Sequence, residues 1–439
     1  MGINPLALLT VAALVCALPA TAQPIDQAEK QAVVAKAGQM LTERYIFPDR
    51  AAQAKAKIDE ELAAGAYDGI NDAALFGVRL TDALQAVTHD KHMRVMAVGA
   101  DLRPPPGAAQ PPKTSAGFTA ADVLKGNVGY IKLLGFGPIE SFTPSADQAM
   151  AAVAGTRALI IDMRDNGGGD PHTVQYLASF FFDPKTKVHI NDLIYRNPGT
   201  ETYKRDEFWT MPVPLYYKGP VTLLTAARTF SGGEEFVYDL QTQKRARLIG
   251  ETTGGGANPG GAPPINPHFR IFIPTGRAEN PITKTNWEGA GVVPEVKVAR
   301  DQALRVAMLE ITKDKALKAD AALETDAFAP VHRLKFREGP QAGSEEALRH
   351  QLEQLARGEP DYSQMGDRLA EATREQLPHL KTSLSALGEI KTVTFKNIDL
   401  AGVDVYEVTC ANGSLRSGIY LTPDGKVALN WVQQMAGDR

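Results

Sequence analysis

Four short segments carry the residue types from which hydrolytic chemistry could be built. In Arg228-Thr229-Phe230-Ser231-Gly232-Gly233-Glu234-Glu235 a serine stands between an apolar, strand-like run and a helix-like run. A nucleophile can project from such a junction, where the next backbone N–H groups and the helix dipole favour an oxyanion. Ser231 with Glu234 three residues on equally satisfies a helix capping box, and the two roles can coexist. In Asp162-Met163-Arg164-Asp165-Asn166-Gly167-Gly168-Gly169-Asp170 three glycines follow a strand. Their amides can approach a ligand closely, as an oxyanion hole or phosphate cradle requires, although such a run alone is also an ordinary tight turn. It lacks the Lys-Ser/Thr pair of a phosphate-binding loop and the spacing of a dinucleotide fingerprint. Thr88-His89-Asp90-Lys91-His92 closes a predicted helix. A single general base is expected there, and no metal, because no distant set of Cys or His completes a site. Asn286 to Pro294 carries Glu288 in a loop ahead of a strand, where the bland reading is a solvated charge. Together these segments offer a nucleophile, a base, an orienting carboxylate and an oxyanion site, in the order His, Ser, Glu.

The elements that must position them follow from periodicity. Helix-type patterning runs over residues 25–42, 50–64 and 72–87, so residues 23–100 read as a helical N-terminal domain. A Pro-rich linker, 101–116, comes next. Strand-like runs at 126–134, 157–163, 220–225, 247–250, 269–274 and 292–298 alternate with helical stretches opening at Pro171 and Gly232. That succession predicts an α/β core over 117–312, with parallel strands and active-site loops at their carboxyl ends. Residues 335–439 change character: two amphipathic, charge-rich helices precede four strands with hairpin turns, an α+β module of weak cystatin-like or nuclear-transport-factor-like pattern.

Composition bounds the rest. The 439 residues carry 47 Lys+Arg against 51 Asp+Glu, a formal net charge of −4, which argues against a nucleic-acid partner. Leu6 to Leu18 is almost unbroken apolar sequence followed by Pro19 and Ala20-Thr21-Ala22, as in a cleaved signal peptide spanning 1–22. The expectation is a periplasmic or secreted protein with no stable membrane insertion after cleavage, a retained anchor being the alternative. Cleavage would remove Cys16 and leave Cys410 as the one thiol, so neither a disulfide framework nor a Cys-based zinc site is available.

Asn127-Val128-Gly129-Tyr130-Ile131, the Asp162–Gly169 segment, Thr229 to Glu234, Gly250-Glu251-Thr252-Thr253-Gly254-Gly255-Gly256 and Gly289-Ala290-Gly291-Val292-Val293-Pro294 resemble, in this order, the motifs of the S41 peptidases. These are the tail-specific proteases and the tricorn core, of ClpP/crotonase-like fold. Within them, residues 225–251 and 276–283 look most like the repeats of interphotoreceptor retinoid-binding protein and its bacterial relatives. The resemblance implies Ser231 as nucleophile. The position matching the tail-specific lysine base is Gly256, so it implies instead the tricorn-type partners, His92 as base and Glu288 as orienter, with oxyanion donors from Gly232 and from Gly167 or Gly168. Where tricorn has a serine before the histidine, Lys91 stands here. The implied activity is peptide-bond cleavage through an acyl-enzyme, with peptide or protein substrates and no cofactor. A non-proteolytic binder of a lipophilic small molecule is the alternative, as is a scaffold whose function lies in the C-terminal module.

Overall fold

The computed structural model describes residues 24–98, 113–313 and 328–435. The expected signal peptide, with Cys16, and most of the Pro-rich linker lie outside the described residues. The chain opens with α1 (Gln27–Arg44), α2 (Pro48–Ala63) and α3 (Ala73–Thr88), then β1 (Arg94–Ala97). Asp26 and Asp72 cap α1 and α3 by accepting the Glu29 and Leu75 N–H groups, and Pro48 sits in the first turn of α2, where its missing N–H costs nothing. His89 ends α3 in the left-handed region (φ 55°), which turns the chain into the Asp90-Lys91-His92 corner ahead of β1.

The core follows as β2 (Phe118–Leu124), β3 (Val128–Leu133), α4 (Ile139–Val153), β4 (Ala158–Asp162), α5 (Pro171–Ser179), β5 (His189–Arg196), β6 (Tyr203–Trp209), β7 (Val221–Thr225), α6 (Gly232–Thr242) and β8 (Ala246–Gly250). After it come β9 (Gly260–Gly261), β10 (Pro264–Asn266), β11 (Phe269–Pro274), β12 (Gly276–Glu279), β13 (Val296–Lys297) and α7 (Ala303–Thr312). β14 (Val331–His332) leads into α8 (Ser344–Arg357), α9 (Asp367–Leu387) and β15 (Ile390–Ile398), β16 (Asp404–Cys410), β17 (Gly413–Leu421) and β18 (Val427–Gln434).

The central sheet has the order β13-β8-β7-β4-β3-β2-β14, parallel from β13 to β3 and antiparallel at β2 and β14. Both faces are covered, so β4 and β7 are buried at every position. Leu159, Ile161, Leu223 and Leu248 pack toward α4, α5 and α6, whereas Ile160, Leu224 and Ile249 pack toward Leu304 and Met308 of α7. The loops leaving the carboxyl ends of adjacent β4, β7 and β8 are 163–170, 226–231 and 251–259, the three glycine- and serine-bearing segments named from sequence.

Two arrangements differ from the sequence expectation. The N-terminal domain is not purely helical: β1, β11 and β10 form an antiparallel sheet with β9 beside β11, and Phe269, Ile271 and Ile273 join the core of α1, α2 and α3. Its hydrophobic interior is therefore completed by a hairpin from the middle of the core sequence. Secondly, β5, β6 and β12 make a separate three-stranded sheet against α5 and α6, of which only the β12 region stood out in the sequence. The C-terminal module is the expected meander, β15-β16-β17-β18, closed on one face by α8 and α9 around Leu348, Leu352, Leu384, Tyr406 and Ile419.

Candidate active site

Ser231 occupies the junction between β7 and α6 with φ 54° and ψ −124°, a conformation that costs a non-glycine residue about 1–3 kcal/mol. Neighbouring segments hold it there. Phe230 N–H donates to the Asn166 carbonyl (3.0 Å), Thr229 Oγ1 to the Met163 carbonyl (2.8 Å), and the Ser231 N–H to Glu234 Oε2 (3.0 Å). Glu234 does more than cap. Its buried carboxylate also accepts from Thr253 Oγ1 (2.5 Å), Gly255 N–H (2.6 Å) and Gly256 N–H (2.8 Å), while Thr253 Oγ1 accepts from Val292 N–H (2.7 Å). One carboxylate thus stitches the serine turn to the Gly250–Gly256 loop and, through Thr253, to the Gly289–Pro294 segment. Burial pushes its pKa up, opposed by the bonds it receives.

His92 is 4% exposed and sandwiched between Phe230 (ring centroids 4.6 Å apart) and Phe272 of β11 (5.6 Å). Gly256 lies against the imidazole and is tied to the serine turn through Glu234. Its N–H shares Glu234 Oε2 with the Ser231 N–H, and a Cβ built on it would lie 2.7 Å from His92 Cε1 and 2.3 Å from the Phe230 ring. The Phe230 ring and the imidazole together fill the space that any side chain at 256 would need, so only glycine fits there. Among the described residues neither His92 nitrogen has a hydrogen-bond partner, so Ser231 Oγ and His92 are not bonded to each other.

Glu288 is half-buried in the loop before β13. Its Oε2 accepts from the Ala257 N–H (2.5 Å), its Oε1 has no partner, and Trp287 Nε1 pins the loop by donating to the Gly256 carbonyl (2.8 Å). One ligand-capable atom from each of Asp90, His92 and Glu288 lies within 4.8 Å of the others. Asp90, overlooked in the sequence, orients this corner: it accepts from the His92 N–H (3.0 Å), Asn258 Nδ2 (2.9 Å) and Tyr45 Oη (3.3 Å). Burial, with Arg94 adding, pushes the His92 pKa down to about 4; burial and the Asp90 charge push Glu288 up to about 7 against the Ala257 bond. Lys91 donates to the Gly254 carbonyl.

The glycine turn lies directly against the serine. A Cβ on Gly168 (φ 95°) would come within 2.7 Å of the Gly232 nitrogen and 2.8 Å of Ser231 Cβ, so only glycine permits the approach. Gly232 N–H, first of α6, has no acceptor among the described residues. The Gly167 N–H donates to the Leu134 carbonyl (3.1 Å) and the Gly168 N–H to Asn166 Oδ1 (2.9 Å), so both are engaged in this conformation.

Two family models match. Residues 127–298 fit peptidase family S41, and residues 22–121 fit the N-terminal domain of Peptidase_S41 in eukaryotic IRBP; together they cover more than half of the chain. The chain belongs to peptidase family S41. Its fold class is accordingly an S41-type α/β core, here with an N-terminal domain and a C-terminal sheet module. A chloroplastic carboxyl-terminal-processing peptidase 2 of Arabidopsis thaliana is 26% identical over 176 residues, 38% of this chain and 31% of that protein, so the chain spans about a third of the relative's length. Solved structures that align include the photosystem II D1 C-terminal processing protease (15% identity, 62% of this chain and 93% of that one, TM-score 0.41). A lipoprotein from Streptococcus agalactiae aligns at 13% identity over 67% of this chain and 99% of that one, with TM-score 0.45.

Proposed function

We propose that this S41 chain is an exported serine peptidase that cleaves peptide bonds through an acyl-enzyme. Ser231 Oγ attacks the scissile carbonyl carbon as its proton passes to His92. The C–N bond of the tetrahedral intermediate breaks as His92 returns that proton to the leaving amine, and water, activated by the same imidazole, hydrolyses the ester. Glu288 faces the imidazolium that forms in each half-reaction. The developing oxyanion is held by the Gly232 N–H and by one N–H of the 167–168 turn, where Gly168 exchanges its bond to Asn166 Oδ1 for the substrate oxygen. Losing one such donor costs about 10²–10³ in rate.

The observation that carries this reading is the setting of Gly256: the buried His92 imidazole, with Glu288 beside it, lies against this glycine and against Phe230, the residue before a strained serine at the head of a helix. A neutral imidazole, held uncharged by burial, is the form a base must take. The missing Ser231–His92 bond fits a site whose hydrogen bonds tighten only with substrate bound. Export rests on the Leu6–Ala22 sequence; among the described residues no helix is long and apolar enough to cross a membrane.

The test is labelling by a fluorophosphonate together with turnover of a reporter peptide. Ser231→Ala is expected to abolish labelling and to lower kcat by at least about 10³-fold while leaving the circular dichroism unchanged. Equal labelling of wild type and variant, or labelling of neither, would sink the peptidase reading and favour the ligand-binding alternative.

A further inference from the structure

The Asp90, His92 and Glu288 corner gathers an imidazole and two carboxylates, one carboxylate more than a triad uses. His92 Nδ1 and Nε2 and Glu288 Oε1 are all buried without a hydrogen-bond partner among the described residues. An unpaired buried polar atom costs about 1–3 kcal/mol, so a ring nitrogen of His92 and Glu288 Oε1 left open in one corner mark a place where something binds. Two carboxylates face each other there with no basic group between them. The nearest candidates are committed elsewhere, Lys91 to the Gly254 carbonyl and Arg50 to the Thr88 carbonyl. A water molecule could bridge part of this set, but Arg50 and Lys91 act on Asp90 and Glu288 only from outside the corner, and a cation within it would meet both carboxylates directly.

We propose that Asp90, His92 and Glu288 form a site for a divalent zinc-type ion that, when bound, keeps the catalytic base idle and clamps the N-terminal domain to the core. Ligand chemistry selects the ion: one imidazole and two carboxylates, with an open fourth position, suit zinc, whereas calcium and magnesium ask for six or more oxygens and water. Geometry supplies the site: one ligand-capable atom from each residue lies within 4.8 Å of the others, close enough for small rotations to converge on one ion. The outer shell is already built. Tyr45 Oη and Asn258 Nδ2 orient Asp90, the Ala257 N–H holds Glu288 Oε2 so that Oε1 is the free oxygen, and Phe230 and Phe272 fix the imidazole plane. Asp90 and His92 come from the N-terminal domain and Glu288 from the core loop, so a bound ion bridges the two. An imidazole nitrogen occupied by metal cannot take the Ser231 proton. That consequence, but not the binding itself, rests on the peptidase reading.

Zinc chloride titrated into the full chain, followed by calorimetry and by melting temperature, tests the site directly. One equivalent should bind and raise the melting temperature, and Asp90→Asn and Glu288→Gln should each weaken binding by at least about tenfold. His189→Asn, which removes a half-buried His–Asp contact (2.6 Å) outside this corner, should leave the titration unchanged. Absence of saturable binding overturns the proposal. So does a titration identical in wild type and in both carboxylate variants, or one abolished by His189→Asn. Should one carboxylate variant fail to fold, the other carries the comparison. Peptide turnover should fall with zinc occupancy and return with a chelator. Zinc binding without any turnover to inhibit would leave the site standing and count against the peptidase reading, so the two failures are distinguishable.

Discussion

Glu235 and Asp239 stand one turn apart on α6, both buried, and among the described residues neither pairs with a cation. Burial pushes Glu235 up to about 8, with the neighbouring Asp170 charge adding and Asn191 opposing, and drives Asp239 well up as well. Glu235 therefore holds its proton in the folded chain at neutral pH. In the unfolded chain a glutamate titrates near about 4.3. The folded pKa being the higher one, the stabilisation is complete below about 4.3 and is lost as pH rises toward about 8, at up to about 1.4 kcal/mol per pH unit for one proton. The wild-type melting temperature should fall across that window, and Glu235→Gln should flatten the dependence. A wild-type melting temperature that climbs through the window, or an equal slope in the variant, would contradict this assignment. At this scale the sequence was informative where chemistry and motif coincide: His92 and Glu288, singled out from separate segments, lie beside each other with Asp90, and Ser231 stands at the strand-to-helix junction its motif implies. It was silent on Glu234 beyond its cap, because the bonds to Thr253, Gly255 and Gly256 arise from residues about twenty positions away. Asp90 escaped notice because its three donors come from three separate segments.

Helices and buried parallel strands were legible because period and burial act locally; the destination of a hairpin is not local information. The strand Phe269–Pro274 has the alternation of a half-buried strand, and its position within 117–312 assigned it to the α/β core. Its inward residues instead fill the space beneath α1, α2 and α3, and its outward Phe272 stacks on His92. The hairpin thus links the packing of the N-terminal domain to the orientation of the base. Ile271 is fully buried in that core, so Ile271→Ala should destabilise the chain by about 2–5 kcal/mol. Because β11 positions Phe272, turnover should decline together with stability even at temperatures where the variant is folded. Urea unfolding and peptide turnover on the same preparation check this. An unchanged unfolding midpoint would show that the hairpin is not part of that core, and a destabilised but fully active variant would uncouple it from His92.

The C-terminal module has its own hydrophobic core, distinct from the clusters on the two faces of the central sheet. Among the described residues it meets the rest through a few polar contacts and small-residue packing. Arg368 reaches Asp170 (3.3 Å) and Glu140 (3.7 Å), Thr114 Oγ1 donates to the Leu400 carbonyl (3.1 Å), and Gly137 lies under Ala401. The Arg368 side chain is 57% exposed, and a surface ion pair of that kind contributes at most about 1 kcal/mol. The module is therefore held near the catalytic core without being part of its packing. Yet its contact point has a functional address: Asp170 caps α5 at the end of the glycine turn that abuts Ser231. A chain ending at residue 334, which keeps β14 on the central sheet, should retain fluorophosphonate labelling of Ser231 and the kcat for short reporter peptides. It should lose one thermal transition and change KM only for substrates long enough to reach from the serine to α9. If truncation abolishes labelling instead, the module is integral to the glycine turn, and the Arg368–Asp170 contact is holding the oxyanion segment in place.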